Sequence, residues 1–300
     1  MSSIEILKER NARMHSPSSV AIGRSFGVRE SDVFVVTYPK CGTTWATAIV
    51  HALRTGGAPE FQDFEEITAV APWDIVAADC GQDLEADQVV SPRLFKSHEA
   101  WADIAKGGRY VYACRNPSDA FVSFYNFLPA YMHCEGIGVE TFAEAIFGGL
   151  SHSGGIWSHF VGWVEAARAN PDRVLLVAFE DLKNDLRAEI RRIALFLGIP
   201  DNGLVDRVHD LSSYAYMSQH QRQFDDGFVF RRLKKQIGLP EDAEHKASKV
   251  RKGAVGGRKD LPPAVLEMLD TRWRNTVLPA LGTPTYDDFL RDVVHGIPPN

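Results

Sequence analysis

The first ordered pattern along the chain is "DVFVVTY" (32–38), a nearly unbroken apolar run of strand length, and three more follow: "RLFKS" (93–97), "RYVYAC" (109–114) and "DRVLLVAFE" (172–180). Runs so rich in β-branched and aromatic residues suit the middle of a parallel sheet covered on both faces. Between them the period changes. Trp45, Ile49, Ala52 and Leu53 share one helical face, as do Leu186, Ile190, Ile193 and Leu197, with Gly198 placed to end the second helix. Strand, helix, strand predicts βαβ units: an α/β fold, a single domain over residues 1–300 with a central parallel sheet flanked by helices. Residues 1–30 read as a polar leader, and 224–260, polar and glycine-punctuated, as a mobile surface segment or lid.

Composition narrows the partners. Of 300 residues, 45% are hydrophobic and 24% charged, as in an ordinary globule. The 33 Lys and Arg against 39 Asp and Glu leave a net charge of −6, which argues against coating nucleic acid or an anionic membrane. Any anion site must be a local basic cluster. No run of eighteen or more apolar residues suggests a membrane span, and the amino terminus has no continuous apolar stretch, so a cytoplasmic location is expected. Cys41, Cys80, Cys114 and Cys134 are widely spaced without a CxxC pair and read as reduced, structural thiols.

Such a cluster begins in "TYPKCGTTW" (37–45). A strand entering a glycine-containing turn and then a helix gathers backbone N–H groups and the positive end of a helix dipole at one point, which suits phosphate or sulfate. Gly42 allows close backbone approach, Thr43 and Thr44 offer hydroxyls, and Lys40 adds a point charge. The loop is P-loop-like without being the nucleoside-triphosphatase loop, because GxxxxGK[ST] needs its lysine after the second glycine. No carboxylate after an apolar strand is assignable to magnesium, so two usual parts of ATP chemistry are missing.

On these residues the chain resembles the cytosolic sulfotransferases. "TYPKCGTTW" is similar to that family's 5′-phosphosulfate-binding loop, with Cys41 where serine is usual, and the resemblance covers roughly residues 30–255. It implies 3′-phosphoadenosine 5′-phosphosulfate (PAPS) as donor and adenosine 3′,5′-bisphosphate (PAP) as product, with no metal. "YACRNPSDAFVSFYNF" (112–127) resembles the 3′-phosphate segment, in which Arg115 and Ser123 would grip the ribose phosphate. "VRKGAVGGRKD" (250–260) resembles the late basic segment, to which Arg251, Lys252 and Gly253 carry over with Gly256; Gly257 and Arg258 replace the usual aspartate and tryptophan. For adenine the resemblance implies Trp45 as a stacking ring, Ser212 and Tyr214 in "LSSYAYM", and Phe179 in "FEDLKND", where tyrosine is common. A strand-end core role for Phe179 stays equally open.

Sulfuryl transfer needs a relieved acceptor proton, an in-line path and stabilisation of charge on the leaving phosphate. "RLFKSHEAW" (93–101) resembles the family's KxH segment and implies His98 as base, with Lys96 and Lys40 as the cations near the transferring group. His98–Glu99 is no HExxH zinc site, since position 102 is alanine. In "GGIWSHFVGW" (154–163), Trp157, His159 and Trp163 read as packing and acceptor-pocket residues. Pro72 and Trp73, with Phe64, Phe127, Tyr131 and the aromatics of 224–230, are candidates for an apolar pocket. The acceptor is expected to be a small, apolar molecule bearing a hydroxyl or amine; oligomeric state stays open. The alternatives are a P-loop kinase, which would prefer ATP with magnesium, and a nucleotide-binding module that transfers nothing.

Overall fold

Four strands, β1 (Val33–Thr37), β2 (Leu94–Ser97), β3 (Arg109–Cys114) and β4 (Val174–Ala178), pair in parallel in the order β2-β1-β3-β4. The computed structural model describes residues 1–247, 249 and 256–296. Every strand residue is buried except half-buried Arg109, which explains why the runs lack polar alternation. The pleat still sorts them. Phe34, Val36, Phe95, Tyr110, Tyr112 and Leu176 join one apolar layer, and Val33, Val35, Leu94, Val111, Leu175 and Val177 the other.

The second layer is closed by helices Thr43–Arg54, Leu186–Leu197 and Leu204–Ser212, through Ile49, Leu53, Ile190, Ile193, Val205 and Val208. The Leu186–Leu197 helix starts where an Asp185 carboxylate oxygen accepts from the Ala188 N–H at 3.0 Å and stops at Gly198, φ 71°. Helices Pro117–Tyr131, Ile156–Ala169, Gly227–Ile237 and Pro263–Leu281 pack over the first layer. The chain runs from central β1 out to β2 and returns to β3 on the other side. Where the connections reverse, the carboxyl ends of the strands leave a crevice, the usual ligand position of open α/β sheets.

Three expectations need correction. Residues 1–30 are not merely a polar leader: helices Ser3–Ala12 and Pro17–Ser25 pack on the body, burying Leu7, Met14 and Ser19. The stretch expected as a surface segment contains the Gly227–Ile237 helix, anchored by buried Phe228, Val229, Phe230, Leu233 and Ile237. Trp157, His159 and Trp163 pack, as half of that expectation had it, but do not line the cavity described below: Trp163 stacks on Tyr112 of β3 at 5.0 Å, His159 lies 5.5 Å from the same ring, and Trp157 meets Phe147 at 5.2 Å.

Candidate functional site

The loop after β1 turns on two left-handed residues, Lys40 (φ 71°) and Gly42 (φ 97°), and Gly42 is the N-cap of the Thr43–Arg54 helix. A Cβ at Gly42 would stand 2.9 Å from Cδ2 of Phe179, so the residue needs glycine for both conformation and space. The Thr43 and Thr37 hydroxyls are 2.5 Å apart. Lys40 Nζ sits 3.6 Å from the centroid of the Phe127 ring. Burial, then the nearby charge of Lys249, opposed by Asp226, and the charges of Lys96 and Arg115 hold the Lys40 pKa well below the usual lysine range. A cation pressed by three others favours an anion among them.

Arg115 follows β3. Its guanidinium donates to the Lys40 carbonyl at 3.1 Å and stacks 4.2 Å from the centroid of Phe179, which follows β4. Phe179 in turn meets Trp45 edge-on at 5.4 Å. The Trp45 indole N–H donates to the Ser212 carbonyl at 2.8 Å, while the Ser212 hydroxyl donates to the Val208 carbonyl at 2.6 Å.

At the end of β2, His98 Nδ1 lies 2.8 Å from the Thr37 carbonyl. A carbonyl only accepts, so Nδ1 carries the hydrogen and Nε2 is left as the proton acceptor. Burial first, then the positive charge of Lys96, keeps the His98 pKa well below its ordinary value, so the imidazole is neutral near pH 7. Trp73 stands edge-on to His98 at 5.1 Å, and Lys96 Nζ lies 4.3 Å from the Trp73 ring centroid. Lys96 also meets Asp226 Oδ1 at 3.3 Å, and Asp226 Oδ2 meets Lys249 Nζ at 2.5 Å.

These groups surround one cavity of about 960 Å³. The loop contributes Lys40, Gly42, Thr43, Thr44 and Trp45; the strand ends contribute Lys96, His98, Arg115 and Phe179; helices contribute Ser123 and Tyr214. The side chains of Cys41 and Ser212 are buried away from it, and burial raises the Cys41 thiol far above its usual range. Arg251, Lys252 and Gly253 lie outside the described residues. Of the acceptor candidates Trp73, Phe127 and Tyr131 line the cavity, whereas Phe64 packs edge-on against Phe224 at 6.0 Å in a separate cluster.

The sequence reading missed Asp119, Lys183, Asp226 and Lys249, and the contributions of Asn11, Met14 and His15. Asp119 was within reach: as an acid in the first turn of the Pro117–Tyr131 helix, it accepts the backbone N–H groups of Gly256 at 3.1 Å and Gly257 at 2.6 Å. That contact docks the described end of the late segment where the resemblance failed. Asp226 gave no signal beyond the turn-like "DDG". No cluster of His, Cys, Asp and Glu suited to a metal occurs among the described residues, and no described helix is long and apolar enough to cross a membrane.

Known proteins resemble this chain in sequence and in fold. The sulfotransferase domain family matches residues 30–277. Mouse sulfotransferase 2B1 is 32% identical over 197 residues, 62% of this chain and 56% of that protein; Arabidopsis thaliana cytosolic sulfotransferase 12 is 30% identical over 264 residues, 82% and 77% of the two chains. The chain thus spans little more than half the length of the mouse relative. Among solved structures, retinol dehydratase in complex with androsterone and the inactive cofactor PAP superposes with a TM-score of 0.67 at 18% identity, covering 87% of this chain and 84% of that one. A mouse sulfotransferase complexed with PAP gives 0.63 at 20% identity, over 88% and 90%. At such identities these two likenesses speak for the fold.

Proposed function

The chain belongs to the sulfotransferase domain family, and from that premise we propose that it moves a sulfuryl group from 3′-phosphoadenosine 5′-phosphosulfate to a hydroxyl or amine of a small acceptor held in the cavity. The observation that carries this reading is the convergence of Lys40, Lys96, His98 and Arg115, from the loop after β1 and the ends of β2 and β3, on a single cavity. The residues fit the donor: Lys40, Lys96, Arg115, Lys183 and Lys249 face a space that has Asp119, Asp226 and Asp260 as its acids, and the left-handed Gly42 bares the loop backbone.

The donor supplies an activated sulfuryl group, whose sulfur–oxygen bond to phosphate breaks as the bond to the acceptor oxygen forms, leaving adenosine 3′,5′-bisphosphate. His98 takes the acceptor's proton at Nε2, the nitrogen left bare by the Thr37 carbonyl. Lys96 offsets charge on the reacting sulfuryl oxygens, and Lys40 charge on the leaving phosphate. Thr43, Thr44 and the loop N–H groups hold the 5′ end, Arg115 and Ser123 the 3′-phosphate. Trp45, Phe179 and Tyr214 flank the base. The Ser212 carbonyl orients Trp45 rather than touching the nucleotide. The apolar wall of Trp73, Phe127 and Tyr131 supports an apolar acceptor.

The test is a calorimetric titration with adenosine 3′,5′-bisphosphate, with and without magnesium, and with ATP as competitor. Micromolar or tighter binding indifferent to magnesium is expected. Preference for magnesium and ATP would overturn the reading in favour of a kinase.

A further inference from the structure

Asp226 is an unusual residue for its position. It is the N-cap of the Gly227–Ile237 helix and is held at φ 70°, a left-handed conformation that L-residues other than Asn and Asp seldom adopt. An aspartate there ordinarily accepts a hydrogen bond from the first turn of its own helix. This one makes no side-chain cap, and neighbouring Asp225 takes the Gly227 N–H instead at 2.8 Å. The Asp226 carboxylate points to the cavity wall, 5% exposed, and divides its oxygens between Lys96 (3.3 Å) and Lys249 (2.5 Å). The forgone cap marks a carboxylate turned from its own helix toward the two lysines. Stability alone is a poor reason, since a buried ion pair commonly does no better than apolar residues of the same volume.

We propose that Asp226 is a positioning residue that keeps Lys96 charged and fixed in the cavity wall, with Lys249 as the opposing weight that sets how strongly it does so. The inference deepens the sulfotransferase reading and rests on it for the use made of Lys96. Lys96 is 2% exposed on β2, and the groups facing it are Asp226, Lys249 and Glu66, with Lys40, Asp74, His98 and the Trp73 ring nearby. Burial first, with Lys249 pushing the same way, outweighs the pull of Asp226 and, less, of Glu66, and the Lys96 pKa comes down to about 8. Burial raises Asp226, but Lys249 and Lys96 outweigh it and hold the carboxyl far below its usual range, so this partner stays charged at any working pH. Removing it takes away the largest pull toward the charged form of Lys96 and lowers the charged fraction at physiological pH. A neutral amine beside the reacting group no longer offsets developing negative charge, and it no longer repels a proton from His98.

The two lysine partners make the idea testable by sign. In protein labelled at lysine Cε with ¹³C, the Lys96 resonance is assigned by its loss in Lys96→Arg and titrated in Asp226→Asn and Lys249→Met. Asp226→Asn should lower the midpoint by about one unit or more, the usual effect of an opposite charge at this range, and Lys249→Met should raise it. An unchanged midpoint in Asp226→Asn, or shifts of the same sign in both variants, overturns the proposal. Should Asp226→Asn not fold, Lys249→Met decides alone: a midpoint that fails to rise refutes it. In parallel, kcat for transfer from 3′-phosphoadenosine 5′-phosphosulfate to 2-naphthol is followed from neutral to alkaline pH. The alkaline limb should move with the Lys96 midpoint and return in Asp226→Asn/Lys96→Arg, whose guanidinium needs no counter-ion to stay charged. A limb that ignores the midpoint overturns the role in transfer. Wild-type protein that transfers to no acceptor while the midpoints shift as expected would refute the transfer reading and leave the counter-ion standing.

Discussion

Substituting alanine at Gly42 tests the loop at its tightest point. Two costs add. An L-residue forced to φ 97° loses roughly 1–2 kcal/mol, and the new Cβ, 2.9 Å from Cδ2 of Phe179, must displace a ring that is pinned between Arg115 and Trp45. Overpacking of that kind costs about 1–3 kcal/mol. Against them, losing a glycine from the unfolded chain returns about 0.4–1 kcal/mol. Gly42→Ala is therefore expected to lose about 2–4 kcal/mol, short of the ~5–15 kcal/mol total of a typical domain. Urea denaturation measures the loss. A cycle with Phe179→Ala separates the terms: the clash should vanish in the double variant, giving about 1–3 kcal/mol of coupling, while the backbone cost persists. Calorimetry should show weaker adenosine 3′,5′-bisphosphate binding, because Phe179 cannot move without moving Arg115. A variant within about 0.5 kcal/mol of wild type with unchanged affinity would refute this account of the loop.

Other expectations follow from single contacts. His98→Ala should lower kcat by about 10²–10⁴-fold, the usual worth of a general base, and Lys40→Met should lower it sharply too, both with intact near-UV circular dichroism; normal turnover in either removes that residue from the mechanism. Arg115→Ala should weaken adenosine 3′,5′-bisphosphate binding by about 10–100-fold, matching the roughly 1.5–3 kcal/mol of a charge-assisted hydrogen bond; unchanged affinity in calorimetry would sink the assignment. His159 is held neutral, its pKa pushed down to about 4 by burial, with Nε2–H donating to the carbonyls of His98 (3.2 Å) and Glu99 (3.1 Å). Between pH 6.5 and 4 the unfolded chain binds a proton there that the folded one refuses, so this residue's contribution to stability falls as pH falls. His159→Gln should make the loss from pH 7 to pH 5 smaller by about 2 kcal/mol; equal slopes in urea melts would contradict it.

The parts of this fold that were readable in the sequence are those where local and global demands agree. The β1, β2, β3 and β4 runs are buried on both sides, so every position had to be apolar, and the strand-to-loop junction around Gly42 has a shape only certain residues allow. The Gly227–Ile237 helix was hidden because its buried Phe228, Val229 and Phe230 are consecutive and are followed by "RRLKK", which blurs the helical period. Trp157, His159 and Trp163 lie in a motif-like segment, yet His159 and Trp163 pack on Tyr112 of the sheet and Trp157 on Phe147. Asp226 could not be read at all, since its partners lie 130 residues away on β2 and at Lys249. Long-range charge pairing leaves no periodicity to detect.

The two amino-terminal helices have a practical corollary. Ser2 and Glu5 close the Ser3–Ala12 helix with a capping box, and within one turn of that helix's end Asn11, Met14 and His15 stand in the cavity wall. A change in this short rod thus reaches the chamber wall through Asn11, Met14 and His15, none of which belongs to the Lys40–Trp45 loop. Residues 1–25 thus offer a cassette for diversifying the chamber, in which Arg24 is the position to keep, since it pairs at 2.5 Å with Glu99 next to His98.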